Sequence, residues 1–389
     1  MHPALEKLNN IASKKERTIL GLMSGTSMDG LDIALCRISG SGRLTGFKLD
    51  HFITMPYTRE ARSSLLELTS AERVNTQEVC IWNTWLSHIH ADMVNEACRE
   101  WNIKKGQIDL LASHGHTLYH APQSKHQQAG KPNATLQIGD GDHLAHKAGI
   151  ITISDFRQKD TAGGGEGAPL AGYGDYLLFA HHQKERVLIN LGGIANFTYI
   201  PAGDSTFPPL SMDTGPANTL IDSAMRTFFN GSAYDDGGRV AGKGTVQQDV
   251  LLELKNHPYF KRGYPKSTGP EMFRLRLLDE ALEKTGVRNL DPQDVIATLT
   301  RLTVETLAEA ILGVIEHPLK TEIYLSGGGI RNHTLMQWLR AELEGIPVNT
   351  TAELGLDPDA KEGVLFAVLA NETVSGDGTF PALGKICLP

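Results

Sequence analysis

Three loops of glycine and small hydroxyl residues carry the chemistry that this sequence can do. The first, Ser24-Gly25-Thr26-Ser27-Met28-Asp29-Gly30, joins an apolar run at Ile19-Leu20 to an alternating run at Leu31, Ile33 and Leu35. In such a turn the backbone N–H groups can point inward as an anion-binding nest, and the hydroxyls add donors. The second loop, Gly192-Gly193, again separates two apolar runs, within VLINLGGIANFTYI at 187–200. The third, Ser326-Gly327-Gly328-Gly329, closes the run Ile323-Tyr324-Leu325 and opens an amphipathic helix through Leu335, Met336 and Leu339. A nucleotide can lie against a helix N-terminus of that kind. Taken alone, the first loop reads equally well as a hairpin turn without a ligand. Two matched loops and a third at a strand-to-helix junction favour two similar lobes facing each other over a nucleotide.

The 389 residues suffice for about two domains, each with its own core. Apolar residues make up 40% and charged residues 21%, the balance of an ordinary globular chain. A formal net charge of −8 and a pI near 6.0 argue against a nucleic-acid surface, which needs a basic face. No apolar run approaches the roughly 20 residues that span a bilayer, and residues 1–17 lack a secretory apolar core. Cys36, Cys80, Cys98 and Cys387 show no paired spacing and read as reduced thiols. These features together give a cytoplasmic expectation.

Along the chain, residues before Lys15 read as a mobile tail. A third antiparallel strand is expected over 47–55. A helix follows over 76–101, with a core stripe at Val79, Trp82, Leu86, Ile89, Met93 and Ala97. A short strand at 109–112 is expected to end in the polar turn Ser113-His114-Gly115-His116-Thr117, at the sheet edge where open α/β sheets bind ligands. Another strand, 150–154, ends in Asp155-Phe156-Arg157 and leads to the glycine-rich TAGGGEGAPL. Leu210-Ser211-Met212 leads to Asp213-Thr214-Gly215-Pro216-Ala217-Asn218 and then a helix. Asp291-Pro292 starts a long helix with an N-cap acid and Pro at its first position. The last helix begins near Asp359. Strands alternating with long helices, twice over, make an α/β chain of two lobes.

The segments GLMSGTSMDG, SHGHT, DFR, GGGEGAPL, NLGGIAN, DTGPAN, PKSTG and SGGG occur in this order between residues 20 and 370. As a set they resemble the 1,6-anhydro-N-acetylmuramic acid kinase family, within the superfamily of acetate and sugar kinases, actin and heat-shock chaperones. The resemblance implies two ribonuclease-H-like lobes with an ATP and sugar cleft between them. Residues 1–185 would form the N-terminal lobe, 186–364 the C-terminal lobe, and 365–389 a helix and tail returning to the first. The implied reaction consumes ATP with Mg²⁺: water opens the 1,6-anhydro bridge, and the freed O6 takes the γ-phosphoryl group. The product is N-acetylmuramic acid 6-phosphate, in cell-wall recycling.

Carried over residue by residue, the resemblance makes Asp213 the general base that strips a proton from the attacking water. The alternative for Asp213 is a cap on the helix after Pro216. Ser24, Gly25, Thr26, Ser27, Met28, Asp29, Gly30 and Leu31 would hold phosphates, with Asp29 and Asp32 on the metal's waters. Gly192 and Gly193 would pass the phosphates on the other side, Gly327, Gly328 and Gly329 the adenosine end, and Lys266 would lie near the nucleotide. Ser113, His114, Gly115, Asp155, Arg157, Glu166, Gly167 and Glu362 fall where the sugar pocket lies. Arg157 offers a planar fork for the lactyl carboxylate. Glu362 also fits a capping box with Asp359. Two departures stand out. Met23 occupies a position where many superfamily kinases carry Asp. Glu166 replaces a usual Gln, and its charge would repel a muramic carboxylate unless a cation compensates. The alternative substrate is therefore levoglucosan, an anhydro sugar without the lactyl acid.

Two other classes compete. A metal-dependent hydrolase would use His114, His116 and His120, in H-x-H-x₃-H spacing, with His143 and His146. A non-catalytic ATP-driven switch would need a partner-binding insertion, which this sequence does not show. The expected partners are ATP and a small anhydro sugar, with no nucleic acid or membrane, and a homodimer is left open.

Overall fold

The computed structural model describes the chain except at residues 1, 26, 27, 71, 72, 169, 204–208, 231, 270, 271, 358, 377 and 379. It divides into two units, Met1–Leu178 with Gly355–Pro389, and Phe179–Leu354.

In the first unit, β1 (Glu16–Ser24), β2 (Gly30–Ser39) and β3 (Gly46–Pro56) form an antiparallel meander. On the other side of β1 runs β4 (Leu110–Ala121), parallel to it. Strand β5 (Ala134–Ile138) folds back antiparallel on the far half of β4, and β6 (Thr152–Ser154) lies parallel to its near half. The C-terminal strand Lys385–Cys387 closes the edge antiparallel to β6.

Alternation at Leu31, Ile33 and Leu35 predicts one apolar face on β2, but β1 and β2 are buried on both faces. One face packs Leu20, Leu22, Leu31, Ile33 and Leu35 on Ala91, Val94, Ala97 and Cys98 of the Thr76–Glu100 helix. On the other lies the Lys361–Ser375 helix, and Gly21, Ala34 and Gly363 let it approach closely. A Cβ added to Gly21 would fall 1.8 Å from the Gly363 carbonyl oxygen. Relief requires moving a helix off a sheet, so Gly21→Ala should cost about 3 kcal/mol, the upper end for overpacking. The denaturation midpoint of the first unit should fall accordingly.

The second unit repeats the plan. An antiparallel meander of β7 (Glu185–Leu191), β8 (Ile194–Ile200) and β9 (Leu210–Pro216) is followed by β10 (Thr321–Ser326) parallel to β7 and β11 (Val348–Thr350) parallel to β10. The orders β3-β2-β1-β4-β6 and β9-β8-β7-β10-β11 match strand for strand and direction for direction. That order is the ribonuclease-H-like arrangement, present twice. The Pro292–Leu312 helix, capped by Asp291 accepting from the Gln293 N–H, is buried nearly all round. Its Val304, Leu307 and Ile311 join the strand core, while Val295, Leu299 and Leu302 join a second cluster with Leu220, Tyr259 and Phe273.

Several expectations change. Residues 3–12 are not a tail but the helix Pro3–Ala12, with Ile11 buried. Arg17 secures its end, donating to the Ala12, Lys14 and Gly40 carbonyls and to Asn371 Oδ1. The units divide at 178/179 and 354/355, against the expected 185/186 and 364/365. Arg186 donates to the Phe179 carbonyl and the Gly203 N–H to that of His181, which ties residues 179–184 to the second sheet. The whole Lys361–Ser375 helix packs on the first. Finally, β4 does not stop at Ala112. It continues through SHGHT, with Gly115 at φ 72° marking a bulge opposite Leu22/Ser24. Among the described residues no helix is long and apolar enough to cross a membrane.

Candidate active site

In the second unit the parallel pair β7 and β10 brings two glycine loops to one sheet edge, with Ser326 opposite Asn190. Gly327 (φ 85°) and Gly329 lie so close to Asn190 and Leu191 that added Cβ atoms would meet Asn190 Oδ1 at 2.5 Å and Leu191 Cβ at 2.6 Å. The helix expected to open at these glycines starts later. A tight turn, Gly328–Arg331, intervenes, and the helix His333–Glu342 is capped by Asn332 accepting from the Leu335 N–H.

At the Gly192-Gly193 turn the carbonyls face the N-terminus of the Asn218–Phe228 helix. Gly193 O accepts from the Ala217 and Thr219 N–H groups and the Thr219 hydroxyl. Gly192 O accepts from the Asn218 N–H and from Asn218 Nδ2, which also reaches Leu191 O. The N–H groups of Gly192 and Gly193 have no protein acceptor among the described residues. They are the turn's available donors.

Asp213 sits within β9, opposite Asn196, rather than after the strand. It caps no helix: the Asn218–Phe228 helix has Ala217 at its N-cap and no side-chain cap. Instead the 259–268 segment holds it. The Asp213 N–H donates to Lys266 O (2.9 Å), its carbonyl accepts from the Tyr259 hydroxyl (2.8 Å), and its Oδ2 accepts from the Thr268 N–H (2.8 Å). Oδ1 has no hydrogen bond among the described residues. Loss of water around the carboxyl raises its pKa above the usual aspartate value, against the smaller lowering effect of Thr268. An acid oriented by one oxygen and made more basic by its surroundings suits proton abstraction.

Lys266 does not extend into open space. Its ammonium donates toward the Tyr259 and Phe260 carbonyls and lies over the Tyr259 and Tyr264 rings, at 4.8 and 5.3 Å. In this structure it braces the segment that holds Asp213 and offers no free cation to a nucleotide.

In the first unit, Thr26 and Ser27 lie outside the described residues. The Ser24 hydroxyl is not aimed at a ligand; it is buried and bonded to His116 Nδ1 (2.8 Å) and the Tyr57 hydroxyl (2.8 Å). Met28 (φ 52°) and Leu31 send their side chains into the core. Gly30 begins β2, where an added Cβ would strike Met55 O at 2.3 Å. Ser24, Met28, Gly30 and Leu31 can therefore serve a phosphate only through their backbone. Asp32 accepts from the Thr54 hydroxyl (2.6 Å). Its pKa is raised by desolvation, with Thr54 opposing and the negative charges of Asp29 and Asp359 adding to the rise. Crowded hard oxygen donors of this kind fit a hydrated Mg²⁺.

Arg157, on the Phe156–Ala162 helix, is set by two bonds: Nε–H to His114 Nε2 (2.8 Å) and Nη1 to Gly167 O (2.9 Å). His114 is then neutral with its proton on Nδ1, donating to Gly115 O (3.0 Å). Burial first, then the Arg157 charge, holds its pKa well below the ordinary histidine value. Its ring packs on Phe366 at 4.9 Å. Gly167 (φ 79°) donates its N–H to Asp160 Oδ2, which fixes the carbonyl that Arg157 uses. Arg157 Nη2 has no protein partner among the described residues. Glu362 forms no capping box, since Ala360 is the N-cap and no side chain caps the helix. Part of Glu362 is exposed, yet protein crowds its carboxyl. Desolvation and then Asp32 raise its pKa, and Arg157 lowers it.

The structure thus gathers His114, Gly115, Arg157, Gly167 and Glu362. Three residues expected in the pocket are occupied elsewhere. Ser113 is buried and accepts from the Gly115 N–H (3.3 Å). Asp155 pairs with Lys385 (2.9 Å). Glu166 is exposed beside Ser124, so the charge expected to oppose a muramic carboxylate faces solvent. Of the proposed zinc ligands, His114 and His116 are committed to Arg157 and Ser24. Among the described residues only Glu185, Glu316 and His317 bring three potential ligands within 4.8 Å of one another. Sequence reasoning missed Tyr259, Tyr57 and His90, and Asn218 was signalled only by lying in DTGPAN. Thr268 was signalled only by lying in PKSTG.

The family model described as anhydro-N-acetylmuramic acid kinase matches residues 17–382. Relatives of that name agree along nearly the whole chain. The one from Pseudoalteromonas translucida is 43% identical over 378 residues, covering 97% of this chain and 94% of the relative. That from Pseudoalteromonas atlantica is 44% identical over 377 residues, with the same coverage. That from Caldanaerobacter subterraneus subsp. tengcongensis is 36% identical over 375 residues, covering 96% and 95%. With a matched pair of ribonuclease-H-like sheets, donor-lined glycine turns and an oriented acid, the chain belongs to the anhydro-N-acetylmuramic acid kinase family.

Proposed function

We propose that this kinase consumes ATP and water to convert 1,6-anhydro-N-acetylmuramic acid to N-acetylmuramic acid 6-phosphate and ADP, in peptidoglycan recycling. Asp213 Oδ1 takes a proton from water as the water oxygen bonds to the anomeric carbon. The bond from that carbon to O6 breaks, O6 bonds to the γ-phosphorus, and the bond from the γ-phosphorus to the β,γ-bridging oxygen breaks to release ADP. The setting of Asp213 carries this reading: one carboxylate oxygen is held by Thr268, the other is left to act, and the pKa is raised.

Phosphoryl transfer asks the protein mainly for positioning and charge neutralisation. The Ser24–Leu31 backbone with Thr26 and Ser27, and the Gly192 and Gly193 N–H groups, supply the donors; Gly327–Gly329 take the adenosine end. Asp29 and Asp32 would hold the waters of Mg²⁺, which supplies positive charge against the phosphates. Arg157 receives the lactyl carboxylate, with His114, Gly115, Gly167 and Glu362 shaping that pocket. The same reading places the reaction in the cytoplasm, where ATP is at hand.

ATP consumption measured against the muramic anhydro sugar, levoglucosan and glucose tests the proposal. Turnover should be strongest with the first and absent with glucose. ATP hydrolysis independent of any sugar would overturn it. A second check is the pH profile of kcat/KM. Because the active form of Asp213 is the carboxylate, activity should fall as pH drops through its pKa. That acid limb should lie above the roughly 3.9 of a free aspartate and vanish in a variant without the carboxylate.

A further inference from the structure

The hairpin loop between β1 and β2 is closed at both ends by one residue outside it. Tyr57 follows the last residue of β3. Its backbone N–H donates to Asp29 O (3.2 Å) at the loop's exit, and its hydroxyl donates to Ser24 Oγ (2.8 Å) at the entry. Its ring, 7% exposed, packs with the Met28 side chain among Leu65, Leu86 and Ile138. Met28 stands at φ 52°, a backbone state that a residue with a side chain holds only when its surroundings impose it.

Behind the clamp runs a buried hydrogen-bond chain. Tyr57 OH lies 2.7 Å from His90 Nε2, and Ser24 Oγ lies 2.8 Å from His116 Nδ1. With Tyr57 donating to Ser24, His90 carries its proton on Nε2 and donates to Tyr57, and Ser24 donates to His116 Nδ1. Both imidazoles are buried and neutral, and His90 is pushed down to about 3. The outer nitrogens, His90 Nδ1 and His116 Nε2, have no partner among the described residues, so the chain has no second anchor to fall back on. A low-dielectric chain of this kind holds its members in one geometry.

We propose that Tyr57 is a positioning residue for nucleotide binding: by bonding to Ser24 and Asp29 it sets the two ends of the loop that receives phosphate. This rests on the reading of residues 24–31 as a phosphate loop. Tyr57→Phe keeps the ring, its packing and the backbone bond to Asp29 and removes only the hydroxyl. It should raise KM for ATP about tenfold, the scale of a buried hydroxyl lost with its partners, here Ser24 and His90, left unpaired. KM for the anhydro sugar should stay within about twofold. Ser24→Ala should do the same, and the double variant should fall short of the product of the two effects, because both remove the Tyr57–Ser24 bond while each also loses its own bond to a histidine. A purely structural role would lower stability without this split between substrates.

Thr26→Ala separates the two readings. Should it raise KM for ATP while Tyr57→Phe and Ser24→Ala leave it unchanged, the clamp is wrong and the loop reading stands. If all three leave it unchanged, the loop does not hold phosphate, and the clamp falls with it.

Discussion

Asp213→Asn is expected to lower kcat by about two to four orders of magnitude, the range for loss of a general base, with little change in the Kd for ATP. The substitution is nearly isosteric. The amide oxygen can still accept from the Thr268 N–H, and the backbone bonds to Lys266 and Tyr259 do not involve the side chain. What disappears is the ability of the second oxygen to take a proton. Because geometry is kept, nucleotide affinity measured by calorimetry acts as the internal control. A variant that binds ATP and turns over at the normal rate would remove Asp213 from the chemistry. One that no longer binds ATP would show instead that the Asp213 carboxylate serves nucleotide binding rather than proton abstraction. Thr268→Pro deletes the N–H that orients the carboxylate, and should lower kcat with a smaller effect than Asp213→Asn.

The residues that announced themselves in the sequence are those whose type limits what they can do. In the third loop Gly327 and Gly329 stand at close approaches, against Asn190 and Leu191, where a side chain does not fit. The Asp291-Pro292 cap and the stripe of the Thr76–Glu100 helix were legible because caps and periodicity act locally. The repeated strand order was legible in part, as two strand–turn–strand patterns half a chain apart; which strands neighbour β1 and β7 on the parallel side depends on long-range pairing. Strand β4 shows why local reading fails. SHGHT looks like a turn because polar residues flank a glycine, yet the glycine makes a bulge and the histidines are buried in the sheet, with His114 Nε2 met by Arg157 and His116 Nδ1 by Ser24. Nothing near His114 in sequence reveals Arg157, 43 residues away. The charge of Glu166 was likewise visible, but its direction was not.

The two units show how one plan is put to different uses. In the second, a turn of only Gly192-Gly193 joins the paired strands, and its carbonyls cap the Asn218–Phe228 helix while its N–H groups stay available. In the first, the corresponding connection is longer, and Tyr57, from outside it, bonds to both of its ends, at Ser24 Oγ and Asp29 O. The short turn is set by its own helix; the long one borrows a side chain from the next strand's end.

Arg157 should decide which anhydro sugar is preferred. Two of its donors are committed to His114 and Gly167, and Nη2 has no protein partner among the described residues. A charge-assisted hydrogen bond contributes about 1.5–3 kcal/mol, so Arg157→Lys, which keeps the charge but loses the fork, should raise KM for the muramic anhydro sugar about 10- to 100-fold. Levoglucosan has no carboxylate to lose and should be affected only slightly, while KM for ATP should stay put. His114→Ala makes the companion test. It removes the acceptor that aims the guanidinium without touching the charge, so it should weaken the same sugar by a smaller factor. An equal loss on both sugars would mean that Arg157 serves the fold, through the Gly167 carbonyl and the His114 ring that it satisfies. A loss confined to the carboxylate-bearing sugar would identify the guanidinium as the group that reads the lactyl arm. The solvent-facing position of Glu166 adds a matching expectation: Glu166→Gln should leave this discrimination nearly unchanged, because its charge is exposed beside Ser124 and Arg157 is balanced instead by Glu362 and Asp160.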